Sequence, residues 1–131
     1  METFSHETLE PWFVTGIVEG IGSFTFSRSS RQIALYFSLK SQRDLLLRIQ
    51  AFFGLGRIYS TSGGLSLFRV TRINELLHVA LHFKAYPLQG ERLRVFELWH
   101  EMLEIKRAFR KPRPQELEAL AVALSKISSE I

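Results

Sequence analysis

Between residues 8 and 20 the apolar side chains Leu9, Trp12, Phe13, Val14, Ile17 and Val18 recur at helical spacing, which predicts a first helix with Thr8 as its N-cap and Pro11 in its first turn. Spacing of this kind also reads Trp12, Trp99 and most of the eleven phenylalanines as core. Residues 23–27 (S-F-T-F-S) and 32–40 (Q-I-A-L-Y-F-S-L-K) instead alternate with period two, and the R-S-S-R link between them makes a hairpin. Alternation turns Phe24, Phe26, Ile33, Leu35, Phe37 and Leu39 inward and leaves Ser23, Thr25, Ser27, Gln32, Ala34, Tyr36, Ser38 and Lys40 on the opposite face. A second helix is expected over 42–53, stopped by Gly54 as a left-handed cap. A second hairpin pairs 57–61 with 65–71 through S-G-G, with Ile58, Phe68 and Val70 inward and Arg57, Tyr59, Leu67 and Arg69 outward. Helices are then expected over 73–82, over 88 to about 109, and from Pro114 onward.

The expected fold class is α+β, in the order α-β-β-α-β-β-α with an extra C-terminal helix. Two hairpins make one four-stranded antiparallel sheet with helices on one face and a polar face left bare. The 131 residues suffice for a single domain, 1–131. No apolar run approaches the roughly 20 residues of a bilayer span, and the N-terminus is acidic where a secretory leader would be basic, so a soluble, non-secreted chain without a membrane partner is expected, in cytoplasm, nucleoid or organelle. With no cysteine, thiolate metal sites and cysteine nucleophiles are excluded, and any catalysis falls to carboxylates, lysines or histidines.

Charge sharpens the picture because it is unevenly placed. Residues 1–22 hold four acids and no base, whereas residues 23–72 hold eight bases and a single acid, Asp44. Seven of those eight are arginine, the side chain whose planar fork suits phosphate and guanine edges. A polar, arginine-bearing sheet face has the shape and chemistry to lie along a major groove, although an ordinary solvent face shows the same alternation. In the first helix, Gly16 and Gly20 share one face, and each interior glycine costs about 1 kcal/mol against alanine. Close approach of another helix backbone would explain them, and the short chain points to a second copy of itself as the source. His78 and His82 have the spacing of a two-histidine metal face but lack obvious further ligands. Residues 106–113 (K-R-A-F-R-K-P-R) form a basic run that fits either a phosphate-touching loop or a solvated linker.

The stretch P-W-F-V-T-G-I-V-E-G-I-G-S-F, residues 11–24, strongly resembles the signature helix and first strand of the LAGLIDADG homing endonuclease family, W-F-L-x-G-F-I-D-G-E-G-S-F. Residues 37–58 and 82–99 (H-F-K-A-Y-P-L-Q-G-E-R-L-R-V-F-E-L-W) agree with later family blocks in order and spacing, so the resemblance covers residues 9 to 125. It implies a saddle-shaped sheet astride duplex DNA and a paired signature-helix interface with active sites at its lower end. A single-motif chain is then expected to be a homodimer, joined through Phe13, Gly16, Ile17 and Gly20. On such a scaffold, base reading is expected to fall to the outward strand residues Ser23, Thr25, Ser27, Gln32, Tyr36, Ser38, Lys40, Tyr59 and Arg69, and phosphate contact to Arg28, Arg31, Arg57 and Arg72 among others.

The family's divalent metal, Mg²⁺ in an active member, depends on a carboxylate at the second acid position of the signature. Here that position is Ile21. Glu19 fills the first acid position, about 200 degrees away around a helix, and is a weak substitute. The family's basic residue after P-L-x-x falls at Glu91, with Arg92 adjacent. These departures lead to the expectation of a sequence-specific, duplex-binding homodimer with cleavage impaired or lost and no resident metal. The alternatives are an active metal-dependent nuclease, an intron RNA-splicing cofactor, and a dimeric structural module.

Overall fold

The computed structural model describes residues 8–29, 32–108 and 114–130. Its elements are α1 (Pro11–Ile21), β1 (Gly22–Ser29), β2 (Gln32–Ser41), α2 (Arg43–Phe53), β3 (Arg57–Ser60), β4 (Ser66–Val70), α3 (Ile73–Ala85), α4 (Arg92–Ala108) and α5 (Pro114–Glu130). The order is the one expected, and the three helices after β4 are those expected over 73–82, 88 to about 109 and from Pro114, with some ends shifted.

Proline sets several boundaries that periodicity misplaces. A proline disfavours helical backbone in the residue before it, so α1 cannot begin ahead of Pro11. Glu10, extended at φ −67° and ψ 137°, takes the N-cap position expected of Thr8. At the other end the helix runs through Gly20 to Ile21, and Gly22 opens β1. Tyr86, held before Pro87, ends α3, whose cap bond runs from the Tyr86 N–H to the His82 carbonyl at 2.8 Å. The next helix therefore starts at Arg92 instead of residue 88. Gly54 does adopt the left-handed conformation, φ 71°, that terminates α2.

The sheet is antiparallel in the order β1–β2–β4–β3, so β2 and β4 are the inner strands. Phe24, Leu35, Phe37, Leu39, Phe68 and Val70 are buried on its helix-covered face, as alternation requires. Phe24 is the hub: its ring centroid lies 5.1 Å from Phe37, 5.3 Å from Phe83 and 5.1 Å from Phe96, in tilted or edge-to-face contacts. Such pairs each add about 0.5–1.5 kcal/mol beyond area burial. Trp99 is fully buried and its indole N–H donates to the Thr25 carbonyl at 3.1 Å, which ties α4 to β1. With every helix on one side, the other face of the sheet stays bare.

Candidate nucleic-acid interface and the end of α1

The strand register arranges the bare face in rows. Ser23, Ser38, Arg69 and Arg57 are successive cross-strand partners and make one row across all four strands. On one side lies the pair Thr25–Tyr36, and on the other the row Lys40–Leu67–Tyr59. Ser27, Gln32, Lys40, Arg57 and Tyr59 are exposed, and Ser23, Thr25, Tyr36 and Arg69 are half-buried. Arg72 is exposed at the N-cap of α3. The face is thus polar and basic among the described residues, with Glu75 the one carboxylate lining the cleft that Arg57, Tyr59, Arg69 and Arg72 share.

Two residues expected to touch DNA do not belong with this set. Arg28 has the strand parity of Phe24 and Phe26, so it lies on the helix side, where its Nη2 donates to Glu118 Oε1 of α5 at 2.9 Å and its Nε donates to the same oxygen at 3.1 Å. Glu118 holds the Arg28 guanidinium above its ordinary pKa, and Arg28 in turn holds that carboxyl low. Ser38 faces the bare side but is only 8% exposed, because a short side chain between Ser23 and Arg69 is overtopped by its neighbours. Arg31 lies outside the described residues. Of the basic run 106–113, Lys106 donates to the Ile33 carbonyl at 2.6 Å and Arg107 pairs with Glu104 at 2.6 Å, while residues 109–113 lie outside the description.

At the end of α1, Ile21 is 44% exposed, an aliphatic side chain facing solvent. Glu19 is turned toward the loop before α4, where its Oε1 accepts the Gln89 N–H at 2.7 Å and the Gly90 N–H at 3.0 Å. Its carboxylate therefore serves as a cap for that loop. Arg92 corrects the sequence reading. Its Nε donates to the Gly22 carbonyl and its Nη1 to the Glu19 carbonyl, both at 2.7 Å, which places a cation at the negative end of the α1 dipole. Glu91 instead opens onto a groove shared with Arg94, Lys126 and Glu130, on the α5 side. Of the two residues that follow P-L-Q-G, Arg92 is therefore the one that reaches the end of α1.

A divalent metal held here would need oxygen ligands converging where α1 ends. Ile21 offers none, and Glu19 Oε1 is engaged by the Gln89 and Gly90 N–H groups. The residues present do not fit a metal ion.

The outer face of α1 is unusual for a helix packed on a core. Trp12 and Phe13 are 52% and 51% exposed, Gly16 and Gly20 are exposed, and Ile17 is half-buried. Trp12, expected in the core from its spacing, instead rests edge-on against Tyr86 at 5.2 Å. A Cβ added at Gly16 or Gly20 would meet nothing within 4 Å, so no contact within the described residues explains either glycine.

Behind α1, buried Thr15 donates its hydroxyl to the Tyr86 carbonyl at 2.8 Å and accepts a hydrogen bond from His82 Nε2 at 3.0 Å. That assigns the imidazole its Nε2–H form and takes Nε2 out of metal binding, while His78 is exposed on the same helix. Burial lowers the His82 pKa from 6.5 to about 4. The unfolded chain consequently binds the extra proton first, and stability is full above pH 6.5 and falls as the pH drops toward 4. His100, also held low by burial and by Lys84, adds in the same direction. Thermal unfolding of the native chain and of His82→Gln across pH 4–7.5 isolates the His82 share: the gap between the two melting temperatures is expected to narrow as acid is added.

These features, a polar sheet face beneath a helical layer and a leading helix with an exposed glycine stripe, belong to a fold found in DNA-bound meganucleases. The structure superposes on the LAGLIDADG meganuclease I-AabMI bound to uncleaved DNA with a TM-score of 0.81 and 26% identity, covering 86% of this chain and 44% of that one. It also shares its fold with the archaeal intron-encoded homing endonuclease I-Vdi141I complexed with DNA (TM-score 0.83, 23% identity, 89% of this chain and 82% of that one). The homing endonuclease I-TnaI likewise shares the fold (TM-score 0.80, 19% identity, 95% and 99%). In sequence, the profile of the LAGLIDADG endonuclease family matches residues 14–103, and the chain belongs to that family. An uncharacterised 50.9 kDa protein in ND4 intron 1 of Podospora anserina is 32% identical over 69% of this chain, which spans 23% of that relative's length. No helix among the described residues is long and apolar enough to cross a membrane.

Proposed function

We propose that two copies of this chain pair through α1 and bind duplex DNA sequence-specifically along their bare sheet faces, with cleavage impaired or lost. The observation that supports it most is the chemistry at the end of α1, where Ile21 stands in place of a carboxylate and Glu19 is committed to two backbone N–H groups. Pairing is supported by the glycine stripe, which has no purpose inside one protomer. DNA as partner is supported by family membership and by Arg57, Arg69, Arg72 and Lys40 on and beside the bare face, whose four positive charges outnumber the single carboxylate, Glu75, that lines the cleft of the three arginines. The names of two relatives, one intron-encoded and one in ND4 intron 1, support an intron-encoded origin for this chain.

When a divalent ion is bound in the family, it supplies Lewis-acid stabilisation and activates water for phosphodiester hydrolysis. In this chain the remaining residues position rather than cut. The outward strand residues orient the duplex, Arg92 holds α1 against β1 and α4, and the apolar Ile21 lies where phosphate would approach.

Binding is expected to fall steeply with salt, because each neutralised phosphate contributes a slope of about −0.9 in log K against log[salt]. Six to ten contacts across two protomers correspond to a loss of about 10³–10⁵ between 50 and 200 mM salt. Fluorescence anisotropy with a duplex selected from a random library measures the slope, and a flat line would contradict a phosphate-tracking face. Incubation of the same complex with Mg²⁺ or Mn²⁺ is expected to leave both strands intact.

A further inference from the structure

The best-organised charged group on the bare face is Arg69. Its guanidinium lies over the Tyr36 ring, 4.6 Å from the centroid. Its Nε is buried and has no hydrogen-bond partner among the described residues. Two consequences follow. The stack fixes the plane and direction of the fork before any ligand arrives, so little side-chain entropy is lost on contact. Burial of Nε also leaves the two terminal nitrogens as the donors able to reach outward.

Its surroundings add a second argument. Arg57 is the direct cross-strand partner of Arg69, and like charges placed opposite one another destabilise a sheet. No carboxylate among the described residues forms an ion pair with either, although Glu75 lines the same cleft as both and Arg72. Such a pair is retained at a cost unless an electronegative ligand lies over it. The two arginines differ in place: Arg69 sits on an inner strand, above the floor of any groove the sheet straddles, and Arg57 on an edge strand. An inner, pre-oriented fork suits a base edge, whereas an exposed edge arginine suits phosphate.

We infer that the Tyr36–Arg69 stack is a guanine reader, in which the two terminal nitrogens of Arg69 donate to O6 and N7 of one guanine in each half of the target while Arg57 contacts the adjacent phosphate. The inference rests on the proposed DNA-binding role and specifies one position of its target. A forked arginine–guanine pair discriminates by about 1–3 kcal/mol, roughly 5- to 150-fold.

The test is selection of bound duplexes from a randomised library by the native chain and by Arg69→Lys, Tyr36→Leu and Tyr36→Phe, with the salt slope measured for each. The native chain is expected to enrich guanine at one position per half-site. Arg69→Lys keeps the charge and should keep the salt slope, yet lose that preference by 5-fold or more. Tyr36→Leu should weaken it, whereas Tyr36→Phe, which keeps the ring, should retain it. If Arg69→Lys leaves the guanine preference intact, or if no position changes between the two selections, Arg69 is not the reader, although DNA binding itself stands. If the native chain enriches no duplex at low salt, the DNA-binding role fails and the inference fails with it.

Discussion

Gly16→Gln combined with Gly20→Gln is expected to convert the protein from a dimer to a monomer without loss of fold. Inside one protomer nothing lies within 4 Å of a Cβ at either site, so the substitutions are sterically free. Each removes an interior glycine from a helix and should stabilise α1 by up to about 1 kcal/mol. The proposed pairing reverses the sign. Helices that approach along a glycine stripe have no room for side chains of that length, and Trp12, Phe13 and Ile17 on the same face would lose their cover. Glutamine leaves the charge unchanged, so phosphate attraction per protomer is preserved. Affinity for a two-half-site duplex should nonetheless fall by about 10²-fold or more, because the second half-site is no longer bound intramolecularly. Sedimentation equilibrium of the free protein reports the mass, and circular dichroism reports the fold. A variant that remains dimeric would place the interface elsewhere.

Ile21→Glu is expected to produce nicking or double-strand cutting in Mg²⁺ where the native chain gives none. The substitution puts one carboxylate at the end of each α1, on an exposed position that needs no repacking. Metal-assisted charge stabilisation is worth several kcal/mol, so a gain of at least about 10²-fold over the native rate is the expected scale. Without metal, the added carboxylates should weaken duplex binding by repulsion from phosphate, and Mg²⁺ should restore it. Glu91→Lys added to this variant is expected to change little, because Glu91 faces the α5 groove and Arg92 already occupies the end of α1. Binding without cutting in the Ile21→Glu variant would mean that more than this one group has been lost.

Much of this arrangement was legible in the sequence because strand alternation and helix spacing are local. The outward set on β2, Gln32, Tyr36 and Lys40, followed from period two alone, and Gly54 announced the end of α2. Arg28 was misread for an avoidable reason: counting on from Phe24 and Phe26 already puts it on the helix side, where Glu118 waits. Trp12 was misread because a large aromatic at helical spacing is ordinarily core, and nothing local distinguishes a face buried within a protomer from one left for a partner. The remainder depends on contacts between distant residues. Glu19 meets Gln89 and Gly90, and Arg92 meets Gly22, some seventy positions apart, and no spacing rule joins them. The length of α3 and the late start of α4 hinged on Pro87, whose effect on its neighbour outweighs the apolar periodicity around it.

The central claim is that a twofold pair of these chains holds duplex DNA and leaves it whole. The most direct measurement is the mass of the complex formed with a selected two-half-site duplex in Mg²⁺, by light scattering or native mass spectrometry, with the DNA strands then resolved under denaturing conditions. Two protomers on one intact duplex is the predicted result. One protomer per duplex, or two protomers with both strands severed, would contradict it.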